Sequence, residues 1–277
     1  MRIAIFQAQS GIDPGANAAG LVEAVSQARA GGAAMLFTPE MSGMLDRDRE
    51  RALGNARVED EDAVLAAVRE AAAKAGTWVH LGSLAVRGPG AKLCNRAFVI
   101  DEAGEIRGRY DKIHLFDVDL ASGESWRESA IYAAGSEAMV VSGTPVGKLG
   151  LTICYDVRFP ELFQRLSEAG ADVIAVPAAF TVPTGKAHWS VLLRARAIEA
   201  AAFVVAAAQA GVHEDGRETY GHSLAADPWG VVLLEMDDAP GLGFVKLDLE
   251  RIAEVRSRIP VLAHRREIGR IDSAGAN

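Results

Sequence analysis

Three polar residues stand where apolar runs end, and together they have the makings of acyl chemistry. Glu40 closes AAMLFTPE (33–40), Lys112 lies in RYDKIHLFD, and Cys154 closes VGKLGLTIC (146–154). A thiol becomes a strong nucleophile only once a base has taken its proton. A carboxylate at the end of a buried strand is partly desolvated, which raises its pKa toward that of a useful general base. A nearby ammonium lowers a thiol's pKa and can bind the oxygen on which charge develops. Each residue by itself has a plainer reading: a buried structural thiol, a solvated loop acid or helix cap, an exposed lysine. Their recurrence at three strand ends, on what could be a single sheet edge, is the signal.

Cys154 also sits at a strand-to-helix turn, because Pro160 shortly afterwards suits the first turn of a helix. Such a turn exposes a side chain at the C-terminal edge of a sheet and brings backbone N–H groups where they can hold an oxyanion. The N–H of Tyr155 is the candidate donor. Tyr155, Arg158, Phe180 and His188 make up a candidate oxyanion and substrate-binding set. Arg158 and His188 have alternatives in an ion pair with Glu161, at i+3, and in a satisfied core histidine. Glu128, in WRESAIYAAG, reads by residue type alone as a solvated loop acid. Arg196 and Glu199 read as a structural pair on one helix face. His114, two residues beyond Lys112 and on its face if the strand continues, offers a rival cysteine–histidine dyad.

The elements that must position these residues alternate. Residues 2–8 read as a strand, 15–31 as an Ala-rich helix ending at Gly31-Gly32, and 33–40 as a second buried strand. A helix follows over 61–75, then strands over 77–86 and 95–116, the latter turning at 102–104. After an irregular stretch, 117–137, come a strand (146–154), a helix (161–170), a buried strand (172–180) and a helix from about 187 to 201. A strand over 202–211, a hairpin over 221–235 turning at 227–230, and a strand over 243–249 complete the set. Two similar sheets with helices outside would bury these apolar strands on both faces.

The 277 residues are 49% hydrophobic, enough for a large core, and no break in composition divides them. The net charge of −8 argues against nucleic acid or an anionic membrane as partner. The first residues are too short an apolar run for a signal peptide, and no stretch is long enough for a membrane span, so a cytoplasmic enzyme acting on small molecules is expected. Two cysteines make neither a disulfide framework nor a paired-thiol metal site. No GxSxG, Walker, GxGxxG or HExxH motif is present, and GTPVGK (143–148) falls one residue short of a Walker loop.

The segments FTPEM, YDKIHLFDVD and LTICYDVRFPEL resemble, in order and near the usual spacing, the three signatures of the nitrilase or carbon-nitrogen hydrolase superfamily. The resemblance covers about residues 1–266. It implies an α/β fold, an α-β-β-α four-layer sandwich of two mixed sheets packed face to face with helices outside. It also implies one domain over 1–266 with a polar tail over 267–277. By it Cys154 is the nucleophile, Glu40 the general base, Lys112 the oxyanion-stabilising lysine, and Glu128 a second glutamate positioning the lysine or substrate amide, although Ala134 stands where proline is usual. TGKAHWSVLLRARAIEAAAFVVAAAQAG and TYGHSLAADPWG are similar to the Nit-type amidases, the deaminated glutathione amidases above all. Asp227 and the segment 206–209 favour that group over the omega-amidases, and Lys186 departs from the proline common to both.

The implied function is hydrolysis of a primary amide on a small carboxylate-bearing substrate, releasing ammonia through a cysteine thioester, with no cofactor or metal. Deaminated glutathione or a related omega-amide is the implied substrate, and a homodimer or higher oligomer the implied assembly. The alternatives are an omega-amidase acting on alpha-ketoglutaramate, an N-carbamoyl amino acid amidohydrolase, an acyltransferase and a non-catalytic scaffold.

Overall fold

The computed structural model describes residues 1–88, 90–119, 123 and 125–270. Part of the polar tail, and Ala121, Ser122 and Glu124 of the ASGESW segment, lie outside the described residues. In chain order the elements are β1 (Arg2–Gln7), α1 (Pro14–Ala30), β2 (Met35–Phe37), α2 (Arg49–Asn55), α3 (Ala63–Ala75), β3 (Trp78–Arg87), β4 (Leu93–Ile100) and β5 (Ile106–Asp111). A short ribbon, β6 (Asp117–Asp119) with β7 (Ser125–Arg127), precedes β8 (Met139–Thr144), β9 (Gly147–Leu151), α4 (Pro160–Glu168), β10 (Val173–Ala175), α5 (Val182–Ala200) and β11 (Phe203–Ala206). A second ribbon, β12 (Ala210–Val212) with β13 (Glu218–Tyr220), leads to β14 (Leu224–Ala226), β15 (Val232–Glu235), β16 (Gly241–Lys246) and α6 (Glu250–Arg258).

The strands form two six-stranded mixed sheets, in the orders β16-β1-β2-β3-β4-β5 and β15-β14-β11-β10-β9-β8. The inner faces meet in one core: Ile3, Ile5, Phe37 and Val99 of the first sheet join Leu149, Leu151, Ile174 and Val204 of the second. Where β5 crosses β8 the sheets are so close that a Cβ on Gly108 would lie 2.3 Å from Val141 Cγ2. The outer face of the first sheet packs on α1 and α3 through Leu21, Val25, Leu65 and Val68. The second is covered by α4 and α5 through Phe163, Leu166, Trp189 and Leu193. This is the expected α-β-β-α sandwich.

Local chemistry explains the helix ends. Asp13, Asp48 and Asp62 cap α1, α2 and α3 by accepting from the N–H groups of Ala16, Arg51 and Leu65, and Gly76 ends α3 in the left-handed region at φ 60°. Helix α5 starts at Val182, five residues before the expected start. Pro183 lies in its first turn, where a missing N–H costs nothing. The stretch 181–187, between the strand expected over 172–180 and the helix expected from about 187, is therefore mostly helix. Helix α2 was not expected. β16 was expected as a late strand of the second half, but it pairs antiparallel with β1, Arg2 opposite Lys246, and so completes the first sheet.

His80 is buried on β3, its ring tilted against Phe37 and its Nε2 without a partner among the described protein atoms. Burial depresses its pKa to about 3. Between that value and the ordinary 6.5 the unfolded chain binds a proton that the folded one does not, so stability falls as pH drops from about 6.5 toward 3. A His80→Leu variant should lose about 2–4 kcal/mol less than the wild type between pH 7 and pH 4, read from urea midpoints at the two pH values.

Candidate active site

The three strand-end residues come together at one end of the sandwich, but from two sheets rather than one edge. Glu40 lies three residues beyond β2, Lys112 directly follows β5, and Cys154 lies three residues beyond β9. Two of the turns that carry them are strained. Cys154 has φ 50° and Met41, next to Glu40, has φ 54°. Non-glycine residues hold this left-handed conformation at a cost of about 1–2 kcal/mol, which the surroundings must offset. Cys154 N–H donates to the Pro177 carbonyl at 2.8 Å, and Met41 N–H to Ser83 Oγ at 2.9 Å. The Glu40 carbonyl accepts from Gln209 Nε2 at 2.9 Å.

The cysteine turn, a 3-10 helix over Cys154–Arg158, is organised by the fully buried Asp156. One Asp156 oxygen accepts from the Ile153 N–H (2.8 Å) and the Tyr110 hydroxyl (2.7 Å). The other accepts from the His114 N–H at 3.1 Å and lies 2.7 Å from His114 Nδ1. Arg196 Nε donates to the Val157 carbonyl at 2.8 Å while its Nη1 pairs with Glu199 at 2.7 Å. The expected Arg196–Glu199 pair thus also fastens the cysteine turn to α5.

At the centre, Lys112 Nζ donates to Glu40 Oε1 at 2.9 Å and to both oxygens of Glu128, at 3.0 and 2.8 Å. Asn95 Nδ2 bridges the same two acids, 2.9 Å from Glu40 and 3.2 Å from Glu128. The second Glu40 oxygen accepts from the Ala179 N–H at 2.9 Å, and Glu128 Oε2 from the Phe116 N–H at 2.7 Å. Burial alone would push the Lys112 ammonium's pKa down. Glu128 and Glu40 outweigh it and hold the pKa well above the usual 10.5. Burial, reinforced by the adjacent Glu40 carboxylate, pushes the Cys154 thiol far above its ordinary range, and Lys112 offsets only part of this. The thiol therefore rests neutral and the lysine charged.

A cavity of about 370 Å³ opens onto Glu40, Lys112, Glu128 and Cys154, and its wall includes Tyr155, Arg158 and Phe180. Arg158 makes no pair with Glu161 among the described residues. Its guanidinium lies over the Phe180 ring at 5.4 Å and the Tyr155 ring at 5.9 Å, with Nη1 3.2 Å from His188 Nδ1. His188 is exposed on α5, away from its start, and is neither a core histidine nor part of the cavity wall. Nor is His114, which stacks on Phe159 at 3.6 Å; strand alternation does not carry it to the face of Lys112, because β5 ends at Asp111. Asn95 and Ala179 were missed: an asparagine inside LCNRAFVI looks like ordinary alternation, and a backbone N–H leaves no mark in sequence. Asp156 and Gln209 were visible only as polar neighbours of apolar runs. Among the described residues no group of three or more His, Cys, Asp or Glu side chains could hold a metal ion.

Gly82 of β3 sets the position of the glutamate turn. A Cβ there would fall 2.0 Å from the Thr38 carbonyl oxygen and 2.5 Å from that of Pro39. These are backbone atoms that can move only with Glu40. Gly82→Ala should cost about 2–3 kcal/mol in a denaturant titration and lower turnover with it. Wild-type stability in that variant would show the contact to be unimportant.

The profile of the carbon-nitrogen hydrolase family matches residues 2–257. A deaminated glutathione amidase of Yersinia enterocolitica is 39% identical over 267 residues, 95% of this chain and 92% of that protein. The crystal structure of the Caenorhabditis elegans NitFhit protein, a nitrilase and fragile histidine triad fusion, superposes with a TM-score of 0.88 at 37% identity. It covers 96% of this chain and 65% of the longer fusion chain. An amidase from Nesterenkonia sp. AN1, with acrylamide added to its active-site cysteine, superposes with a TM-score of 0.78 at 28% identity over 94% of this chain and 98% of that one. With the sandwich, the three signature segments and a family match over nearly the whole chain, this protein belongs to the carbon-nitrogen hydrolase family.

Proposed function

We propose that the chain hydrolyses an amide of a small carboxylate-bearing acid through a thioester on Cys154, with Glu40 as general base and Lys112 as oxyanion partner. The observation that carries this is the Glu40 carboxylate, bonded to the Lys112 ammonium, to Asn95 and to the Ala179 N–H beside the buried thiol, at the floor of one cavity. As sulfur attacks the amide carbon, the thiol proton passes to Glu40 and the new oxyanion is held by Lys112 and the Tyr155 N–H. Glu40 then protonates the departing nitrogen and the C–N bond breaks. Water, giving its proton to Glu40, attacks the thioester; the acid leaves and the thiol is restored. Glu128 bonds to the Lys112 ammonium and holds it toward the site. Arg158, stacked over Phe180 and Tyr155, is suited to a substrate carboxylate, and His188 supports Arg158 from outside the cavity.

Similarity to the deaminated glutathione amidases makes that compound the first substrate to test. Its amides are secondary, so the primary-amide cleavage with ammonia release expected from the sequence does not apply to it: its hydrolysis releases an amine-bearing fragment, whereas an omega-amide such as alpha-ketoglutaramate releases ammonia. An assay reading both products over deaminated glutathione, alpha-ketoglutaramate, N-carbamoyl amino acids and simple nitriles decides among them. The expected result is amine release from deaminated glutathione with the highest kcat/KM. A clear preference for a carbamoyl compound or a nitrile would overturn the substrate while leaving the triad, and inertness toward all four would overturn the amidase reading. Both cysteines are free, as suits a reducing compartment, and the same reading places the enzyme in the cytoplasm as a homodimer or larger homo-oligomer. Among the described residues no helix is long and apolar enough to cross a membrane. Light scattering on the purified protein tests the assembly.

A further inference from the structure

The cavity has a second cationic pole, away from Arg158. From Tyr155, next to the nucleophile, an aromatic track leads outward: Tyr155 to Phe116 edge-on with centroids 5.0 Å apart, then Phe116 to Trp126 at 6.4 Å. Two guanidinium groups meet the Trp126 ring at the end of this track, Arg47 at 5.4 Å and Arg217 at 5.2 Å from its centroid. All three residues line the same cavity as Cys154. Arg217 is anchored, its Nε donating to Asp215 at 2.7 Å, whereas Arg47 is exposed and pairs with no carboxylate among the described residues. Of the acids on this part of the wall, Asp46 is already engaged by Arg51 at 2.8 Å and Glu218 is exposed.

Two arginines stacked on one indole present a planar, weakly hydrated cationic surface suited to a carboxylate. Arg158 lies beside the cysteine turn, whereas this pair lies two aromatic rings away from Tyr155. We infer that Arg47, Arg217 and Trp126 form a second anion subsite that binds a carboxylate on the amine half of the substrate, so that the preferred amide is secondary and its leaving group anionic. This rests on the amidase reading above and sharpens it, since an omega-amide that loses ammonia would leave the subsite unused.

The test compares deaminated glutathione with its C-terminal carboxamide, which shares the acyl half and lacks only the outer charge. The wild type should prefer the carboxylate form by about tenfold in kcat/KM, the scale of one partly exposed charge-assisted contact, and the preference should shrink as salt is raised. Arg47→Gln should bring the ratio near one, chiefly through KM, with Arg47→Lys retaining part of it. Because Arg47 is exposed, its replacement does not threaten folding as that of the anchored Arg217 would. Calorimetry on the Cys154→Ala protein repeats the comparison without turnover. Equal binding and equal kcat/KM for the two compounds in the presence of Arg47 would overturn the subsite. If neither compound is hydrolysed, yet the carboxylate form binds about tenfold more tightly and only while Arg47 is present, the subsite stands and the amidase reading falls.

Discussion

Cys154→Ala should lower turnover by at least about 10⁴-fold, the scale on which nucleophile removal acts in covalent enzymes, while leaving the fold intact. The second part of this expectation comes from the backbone. Cys154 is held at φ 50° by the Cys154 N–H to Pro177 bond and by the Asp156 network, none of which needs the sulfur. Alanine inherits the same left-handed strain, so its melting temperature should stay near the wild type. Glycine carries no such penalty, and Cys154→Gly should be the more stable of the two by about 1 kcal/mol, offset in part by its greater freedom when unfolded. An inactive variant more stable than its parent is the mark of strain kept for function. Mass spectrometry on rapidly quenched wild type should show the protein carrying the acyl half, and the alanine variant none. Residual activity above about one per cent in pure Cys154→Ala would remove the cysteine from the mechanism.

The residues with chemistry were legible because each interrupts an apolar run at the point where burial ends. A carboxylate after LFTP or a thiol and aspartate after LTI have no packing reason to be there. What could not be read is how the runs pair. β1 and β16 lie more than 230 residues apart in sequence, yet Arg2 sits opposite Lys246, and nothing local to either strand marks the other. Glu40 and Cys154 therefore looked like neighbours on one edge, whereas they face each other from two sheets. The same blindness hid Asn95, whose importance lies in two acids brought to it from elsewhere in the chain. The start of α5 was misplaced for a smaller reason: VPTGK contains a proline and a glycine, which usually signal a loop, but the proline falls in the one turn of a helix that tolerates it.

Lys112 is the residue on which site and fold depend together. In Lys112→Met a side chain of similar length fills the space, but the only cation bonded to Glu40 and Glu128 among the described residues is gone, leaving Asn95 to bridge one buried and one partly buried carboxylate. Removing one partner from a buried ionic cluster costs about 3–5 kcal/mol, and the loss of oxyanion stabilisation alone costs turnover about 10²–10³-fold. The pH dependence distinguishes this from simple loss of packing. With no ammonium between them the two acids cannot both stay ionised cheaply, so the folded variant should hold a proton that the unfolded chain, with ordinary carboxylates near 4.3, releases. Between those two pKa values the folded state binds more protons, and stability falls as pH rises. The destabilisation should therefore be greatest at pH 7–8 and shrink toward pH 5, opposite in sign to the His80 effect. Adding Glu128→Gln removes one of the two charges and should restore about 2 kcal/mol at pH 7 without restoring activity, since the oxyanion partner is still missing. Urea titrations of the three proteins at pH 5 and 7.5 supply the comparison. A pH-independent loss, unrelieved by the second substitution, would mean that Lys112 is held for packing and that its charge does not bind the acids together.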